Sequence, residues 1–383
     1  MPLFILLFFV LYTISMRLAL SVLPNYKHEL EDYLSNYSGE QVELHDIQSY
    51  WVGLDPVIEI NQITINGSQN TYIGRTRVQF SLINSITNLH LSLKNISAEH
   101  VEISLDNTND GVWVLAGIEI DSEIFGQTSD VSITSDRQKE LEAIKLPTFL
   151  ESTTLSVSDI SLTLTNNSGL VRALRAPSIS LSHQNKRIFA SGKILEKEGN
   201  KSLLSFSFEG GGLSGESSFF GELFIEARST EFFSQLLNAY HWEDLSVKAL
   251  DGGTRAWLNF ENTSLKSVIG ELQLSRVDLK IADQYLPELS NLAMNYSWRQ
   301  AGNDNLISIE GFGYNWAGKK CHDSDATIQS SPEKMVINLG YLDVDCVNRL
   351  AVSTGMLVPT LQNRLEVSEP SGLLQNIQLD IPL

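Results

Sequence analysis

From Leu3 to Leu23 nearly every position is apolar (LFILLFFVLYTISMRLALSVL), and Arg17 is the one charge in the run. At about 1.5 Å of rise per residue this run makes a helix of roughly 31 Å, close to the hydrocarbon thickness of a bilayer. The pattern therefore predicts a transmembrane anchor over residues 1–23. Arg17 can snorkel to the headgroups, and Pro24 ends the helix. The competing reading is a cleaved secretory signal, for which Ala19-Leu20-Ser21 supplies a small-x-small site. Both readings place the rest of the chain, residues 24–383, outside the cytoplasm as a single β-rich domain.

Directly after Pro24, the residues Tyr26, Leu30, Tyr33, Leu34 and Tyr37 recur at helical spacing between Glu29, Glu31 and Asp32, and Gly39 stands where a helix stops. From Val42 the period changes to two. Val42 and Leu44, Ile58 and Ile60, and Ile63 and Ile65 alternate with polar residues, with turns at Gly53-Leu54-Asp55-Pro56 and Asn66-Gly67. Leu91 and Leu93, then Val101, Ile103 and Leu105, continue the alternation. Helical patterns return only briefly, over 136–145 behind Ser135 and over 231–240 behind Thr230, where Phe232, Phe233, Leu236, Leu237 and Tyr240 make one face.

One spacing recurs: apolar-x-apolar-x-x-apolar-x-apolar-x-apolar. It is carried by Leu155, Val157, Ile160, Leu162 and Leu164, and again by Leu272, Leu274, Val277, Leu279 and Ile281. Shortened copies lie at Ile58, Ile60, Ile63 and Ile65 and at Leu374, Ile377, Leu379 and Ile381. A continuous strand would turn its apolar set to the other face at the two-residue step. A bulge or tight bend is therefore expected there, keeping one face apolar throughout.

Composition narrows the function. The net charge of −19 repels phosphate backbones, so nucleic acid is not expected as a partner. Apolar residues make up 42% of the chain, enough for a core, and Ser, Thr, Asn, Val, Ile and Leu dominate between turns, which is strand composition. The fold class is mainly β. The seven histidines have no metal-ligand spacing. The densest acidic group, His322, Asp323 and Asp325 with Asp343 and Asp345, reads as a solvated edge or, less simply, as a cation site. No G-x-S-x-G and no phosphate loop is present. No catalytic residue, metal or cofactor is expected, and the chain does not read as an enzyme. Cys321 and Cys346 flank Ser331-Pro332-Glu333-Lys334, with Ala326 and Ile328 running out and Val336, Ile337 and Leu339 returning. They are expected at the two ends of one hairpin, disulfide-bonded in an oxidising compartment; the alternative is two unrelated thiols.

Several motifs resemble one family. They are Arg17-Leu18-Ala19-Leu20-x-x-Leu23-Pro24, Glu31, Ser38-Gly39-x-x-Val42, Ile47 and Trp51-x-Gly53-Leu54-x-Pro56 before an Ile-rich strand pair, then Asp110-Gly111-x-Trp113-x-Leu115-x-Gly117, and late in the chain Pro370-x-Gly372-x-Leu374. Together they resemble the YhdP-type, AsmA-like proteins. The resemblance implies an inner-membrane anchor in a Gram-negative bacterium, an elongated twisted antiparallel sheet curled into an open gutter in the periplasm, and support of phospholipid transport toward the outer membrane. Members of that family are much longer, so the chain reads as an N-terminal portion. The residues expected to line the groove are Ile58, Ile60, Ile63, Ile65, Leu91, Leu93, Val101, Ile103, Leu105, Leu155, Val157, Ile160, Leu162, Leu164, Leu272, Leu274, Val277, Leu279 and Ile281. Phospholipids, the inner membrane and other envelope proteins are the implied partners. The competing reading is an anchored envelope scaffold whose apolar face is an ordinary closed core.

Overall fold

A computed structural model describes residues 2–66, 70–88, 91–107, 113–115, 118–120, 153–165, 171–184, 187–196, 202–211, 220–228, 245–261, 264–281, 284–302, 304–331, 333–353 and 359–382. They are mostly strand. The chain forms two compact units, Met1–Asn200 with Glu209–Ser218, and Lys201–Phe208 with Phe219–Leu383. The helices expected over 136–145 and 231–240 lie outside the described residues.

The first unit opens with helix α1 (Pro2–Val22), a 3-10 turn (Leu23–Tyr26) and helix α2 (Lys27–Ser38). Gly39 ends α2 in the left-handed conformation (φ 76°), its N–H donating to the Ser35 carbonyl at 2.9 Å. The transmembrane helix expected over residues 1–23 is not supported in that form: among the described residues no helix is long and apolar enough to cross a membrane.

Strands follow in series: β1 (Gln41–Val52), β2 (Asp55–Asn66), β3 (Asn70–Ile73), β4 (Thr76–Phe80), then helix α3 (Leu82–Asn88) and β5 (Leu93–Asn107). After the short β6 (Trp113–Leu115) and β7 (Ile118–Ile120) come β8 (Thr154–Thr165), β9 (Val171–Gln184) and β10 (Arg187–Glu196). β2 bridges β1 to β3 and β4, and both of these pair with β5; the ladder continues through β8, β9 and β10. The expected antiparallel sheet is in fact mixed, because β5 and β8 run parallel. A parallel pair needs a long crossover, and residues 121–152 give the chain the length to make one.

The phase steps seen in the sequence are matched irregularities on neighbouring strands. Asp46 (φ 35°) stands opposite Asn61, between the pairs Leu44–Ile63 and Ile47–Ile60. His100 (φ 58°) stands opposite Asp159 (φ 55°), between the pairs Glu99–Ser158 and Val101–Ile160. Asp, Asn and His are the side chains that best tolerate left-handed backbone. Since both strands of a pair carry the extra residue, alternation resumes in register and the same face stays apolar.

The second unit is an antiparallel meander. It runs β12 (Phe220–Ala227), β13 (Leu245–Glu261), β14 (Ser264–Ile281), β16 (Leu289–Ala301), β17 (Asp304–Trp316), β19 (Ser324–Ser330), β20 (Lys334–Asp343) and β21 (Leu373–Pro382). The two-residue strands β15 (Gln284–Tyr285) and β18 (Lys319–Lys320) extend it, and β11 (Ser202–Gly211) divides between the units. Steps recur at Ser275 opposite Asn291 (φ 50°) and at Gly340 opposite Asn376 (φ 52°).

Between β20 and β21 lie two helices absent from the sequence reading, α4 (Val344–Ser353) and α5 (Pro359–Ser368). Asp343 starts α4 by accepting the Cys346 N–H at 3.2 Å, an N-cap contact. The disulfide is present with the Cα atoms 5.9 Å apart, but its setting differs from the expected hairpin ends. Cys321 precedes β19 and Cys346 lies in the first turn of α4, so the bond ties a helix to the sheet and packs with Leu286 and Trp316.

Candidate functional site

Residues directly opposite one another on paired strands point to the same face, so the register gives the composition of each face. In the first unit one row runs Leu44–Ile63–Ile73–Val101–Ile160–Ala176, and every adjacent pair is in register. A second runs Ile58–Val78–Ile96–Leu155–Leu181–Ala190. The reverse face is polar. Glu59–Arg77–Ser97–Ser156–Ser180–Ser191 is one of its rows, with the Ser180 and Ser191 hydroxyls 2.9 Å apart.

The second unit repeats the arrangement. Leu223–Leu258–Val268–Trp298–Ile307–Ile328–Ile337–Leu379 crosses its meander from β12 to β21, and Ile225–Ala256–Gly270–Tyr296–Ile309–Ala326–Leu339–Ile377 runs beside it. None of these positions carries a charge. Gly270 is required where it stands, because a Cβ there would come within 2.5 Å of the Tyr296 ring that lies over it.

What covers the apolar faces differs along the chain. Around Val42, Leu44 and Ile47, the side chains of Ile58, Ile60, Ile63 and Ile65 pack together with Leu23, Leu30 and Leu34. That end of the face is closed by α2. The cluster centred on Val101, Ile160 and Ala176 takes Ile73, Ala98, Ile103, Val157 and Ile179 as neighbours, all from consecutive strands of one ladder. The cluster centred on Leu250, Leu274 and Val277 takes Val247, Leu272, Leu279, Leu289 and Leu292, again from consecutive strands. Among the described residues no facing layer contributes to the first cluster, whereas Leu279 and Leu289 of the second also pack against Leu286 and the Cys321–Cys346 bond. At β21 the apolar face opens further, with Leu379 47% exposed.

Of the residues expected to line a groove, Val101, Ile103, Val157 and Ile160 come together in one cluster, and Leu272, Leu274, Val277 and Leu279 in another. Leu105 and Leu164 are paired, as are Ile103 and Leu162 and Ile96 and Leu155. Leu93 pairs with Phe80 at the end of β5; Leu91 precedes that strand and is exposed. Ile281 ends β14, and its side chain lies outside those described. The sequence reading missed Ile73, Val78 and Ile96, and the aromatic positions Tyr296, Trp298, Phe312, Tyr314 and Trp316. Plain alternation over Leu292, Met294, Tyr296 and Trp298, and over Phe312, Tyr314 and Trp316, was a signal for the last group.

Charge is kept to the reverse face and to strand ends, and several of its groups are paired. Arg77 donates to Glu59 at 2.6 Å and holds that carboxyl below the usual range, with Tyr50 donating to it at 3.0 Å. Arg255 bridges Glu226 at 3.0 Å and Glu271 at 2.9 Å. The acidic residues near His322 have partners within the chain, Asp323 standing 3.6 Å from Lys320. Asp343 accepts the His322 and Cys346 N–H groups, Asp325 accepts the Gly311 N–H at 2.7 Å, and Asp345 is paired with Lys319 and Arg349. No set of metal-ligating side chains converges among the described residues.

Comparison with known proteins found no match among curated proteins or solved structures. A family model described as YhdP protein matches residues 1–383, so the chain belongs to the YhdP family.

Proposed function

We propose that this YhdP-family chain supports phospholipid transport in a Gram-negative envelope, with the apolar sheet faces receiving acyl chains. The apolar segment before Pro24 holds it to the inner membrane and its bulk lies in the periplasm. The observation that carries the reading is the uncharged rows crossing each unit, whose clusters draw their members from a single ladder. An apolar face of that extent needs either a second layer or an apolar ligand.

Magnitudes favour a ligand of this kind. At about 0.8 kcal/mol per methylene, moving two acyl chains of about 30 methylenes into water costs roughly 25 kcal/mol. An apolar strip open on one side removes most of that cost while the headgroup stays in water. Among the described residues, support for the closed scaffold is local: α2 covers Val42, Leu44 and Ile47, and the Cys321–Cys346 bond with Leu286 covers Leu279 and Leu289.

Site-specific photo-crosslinking tests the reading. A photoreactive residue at Leu162 or Ile307 should capture phospholipid in membranes, and one at Ser156 or Ser308 on the reverse face should not. Equal capture at both faces, or none at either, contradicts it.

A further inference from the structure

Side chains of the first hairpin run along α1. The Ser49 hydroxyl donates to the Leu20 carbonyl at 3.0 Å, and the Arg17 guanidinium lies over the Trp51 ring at 5.4 Å. Passing from Ser49 to Trp51 on the strand thus accompanies passing from Leu20 back to Arg17 on the helix. The β1–β2 hairpin therefore climbs α1 toward its N-terminus, and its two-residue turn, Gly53 and Leu54, lies farther along in the same direction.

That tip is chemically unlike the rest of an acidic chain. Tyr50-Trp51-Val52-Gly53-Leu54 carries no charge, and Val52 and Leu54 are each 52% exposed. Asp55 at its base is compensated, accepting from Lys94 at 2.6 Å and from the Leu82 N–H at 3.3 Å. The second contact sets α3 at the foot of the tip, where Ile83 and Leu91 are exposed. α1 itself shows Val10, Leu11, Ile14 and Leu18 to the outside. Tyr26, Tyr33 and Tyr37 flank the group on the far end, exposed on one side of the 3-10 turn and α2.

We propose that this end of the first unit enters the lipid bilayer together with α1. Val52, Leu54, Ile83 and Leu91 then reach the acyl region, Trp51 and Arg17 sit at headgroup level, and the tyrosines mark the water boundary. Aromatic rings and a snorkelling Arg are the side chains suited to that level. The occupant is a phospholipid bilayer rather than a protein groove, because the uncharged tip runs along α1 past Arg17, and α1 itself exposes Val10, Leu11, Ile14 and Leu18. The inference rests on the membrane reading of α1. Its consequence is that the sheet begins inside one leaflet, where acyl chains can pass onto it without crossing water.

Depth-dependent fluorescence quenching tests this. Cys321 and Cys346 are bonded to each other, so a thiol introduced by Leu54→Cys, Ile83→Cys, Leu18→Cys or Glu333→Cys can be labelled alone with an environment-sensitive dye. The full chain is reconstituted in phosphatidylethanolamine–phosphatidylglycerol vesicles carrying nitroxide lipids at a shallow or a deep carbon. Labels at 54 and 83 should brighten several-fold and be quenched, more by the shallow nitroxide; the label at 18 should be quenched and that at 333 should not. Quenching at 18 with none at 54 and 83 overturns the insertion while keeping the anchor. No quenching at any position overturns both. The two tip positions lie on different elements, so failure of one variant to fold leaves the other to decide.

Discussion

His100 and Asp159 face each other across parallel strands, each with left-handed backbone, and the imidazole Nδ1 meets the carboxylate directly. Arg175 donates to the other carboxylate oxygen at 3.0 Å and, with His100, holds Asp159 below the usual carboxylate range. The pair keeps Ile96, Ala98, Val101 and Ile103 on one face with Leu155, Val157, Ile160 and Leu162. Asp159→Asn should be nearly neutral, whereas Asp159→Val, a β-branched residue in left-handed backbone, should cost about 1–3 kcal/mol. Urea denaturation midpoints of the two variants check this. Deleting Asp159 outright should turn Ile160, Leu162 and Leu164 to the polar face and yield insoluble protein.

Glu31 closes the first edge strand. Its Oε1 accepts the Leu44 N–H at 2.9 Å while the Ser35 hydroxyl accepts the Val42 N–H at 2.9 Å, so α2 occupies donors that an edge would otherwise offer to another chain. Burial pushes the Glu31 carboxyl up, but the Leu44 N–H, His28 and Lys27 outweigh it and the net shift is downward. A depressed folded value means the stabilisation is fully present above the ordinary value of 4.5 and is lost as pH falls through the folded value. Denaturation midpoints should drop in that acid range, and Glu31→Gln should flatten the drop. An unchanged pH profile in the variant would count against this role.

Gly270 and Tyr296 are directly opposite on β14 and β16. Gly270→Ala should destabilise the second unit by about 1–3 kcal/mol, since the added methyl also meets the Arg255 carbonyl at 2.6 Å. Tyr296→Ala removes only one of the two obstacles. The double variant should therefore recover part, and not all, of the loss measured by denaturation.

The Cys321–Cys346 bond closes a sequence separation of 25. Loop entropy for a closure of that size gives about 3 kcal/mol. Replacing both cysteines by serine should lower the denaturation midpoint of the second unit by that order and loosen α4 against Trp316, read by tryptophan fluorescence.

Strand periodicity made most of the fold legible, because each face is built from positions two apart and the phase steps broke that rule in a countable way. The repeats at Leu155–Leu164 and Leu272–Ile281 located their steps correctly. What periodicity cannot carry is pairing order, so the parallel contact of β5 with β8 was not visible in a chain read locally. Helix α4 was missed because the alternation up to Leu342 suggested a longer strand, although Asp343 offered a cap. The role of α2 was also illegible: Leu30 and Leu34 announce an amphipathic helix, but only tertiary packing puts them over Val42 and Leu44 and closes the apolar face there.

The central claim is that the apolar faces hold lipid rather than a hidden second layer. Leu162 is half-buried in β8 and pairs with Ile103 and Leu174, so Leu162→Asp places a charge on the face while leaving the ladder hydrogen bonds in place. The decisive measurement combines circular dichroism with mass spectrometry of phospholipid co-purified with the wild-type and variant proteins. The account predicts phospholipid on the wild type, and a variant with the same strand spectrum and several-fold less lipid. An unfolded variant, a variant with undiminished lipid, or a wild type that carries none would contradict it.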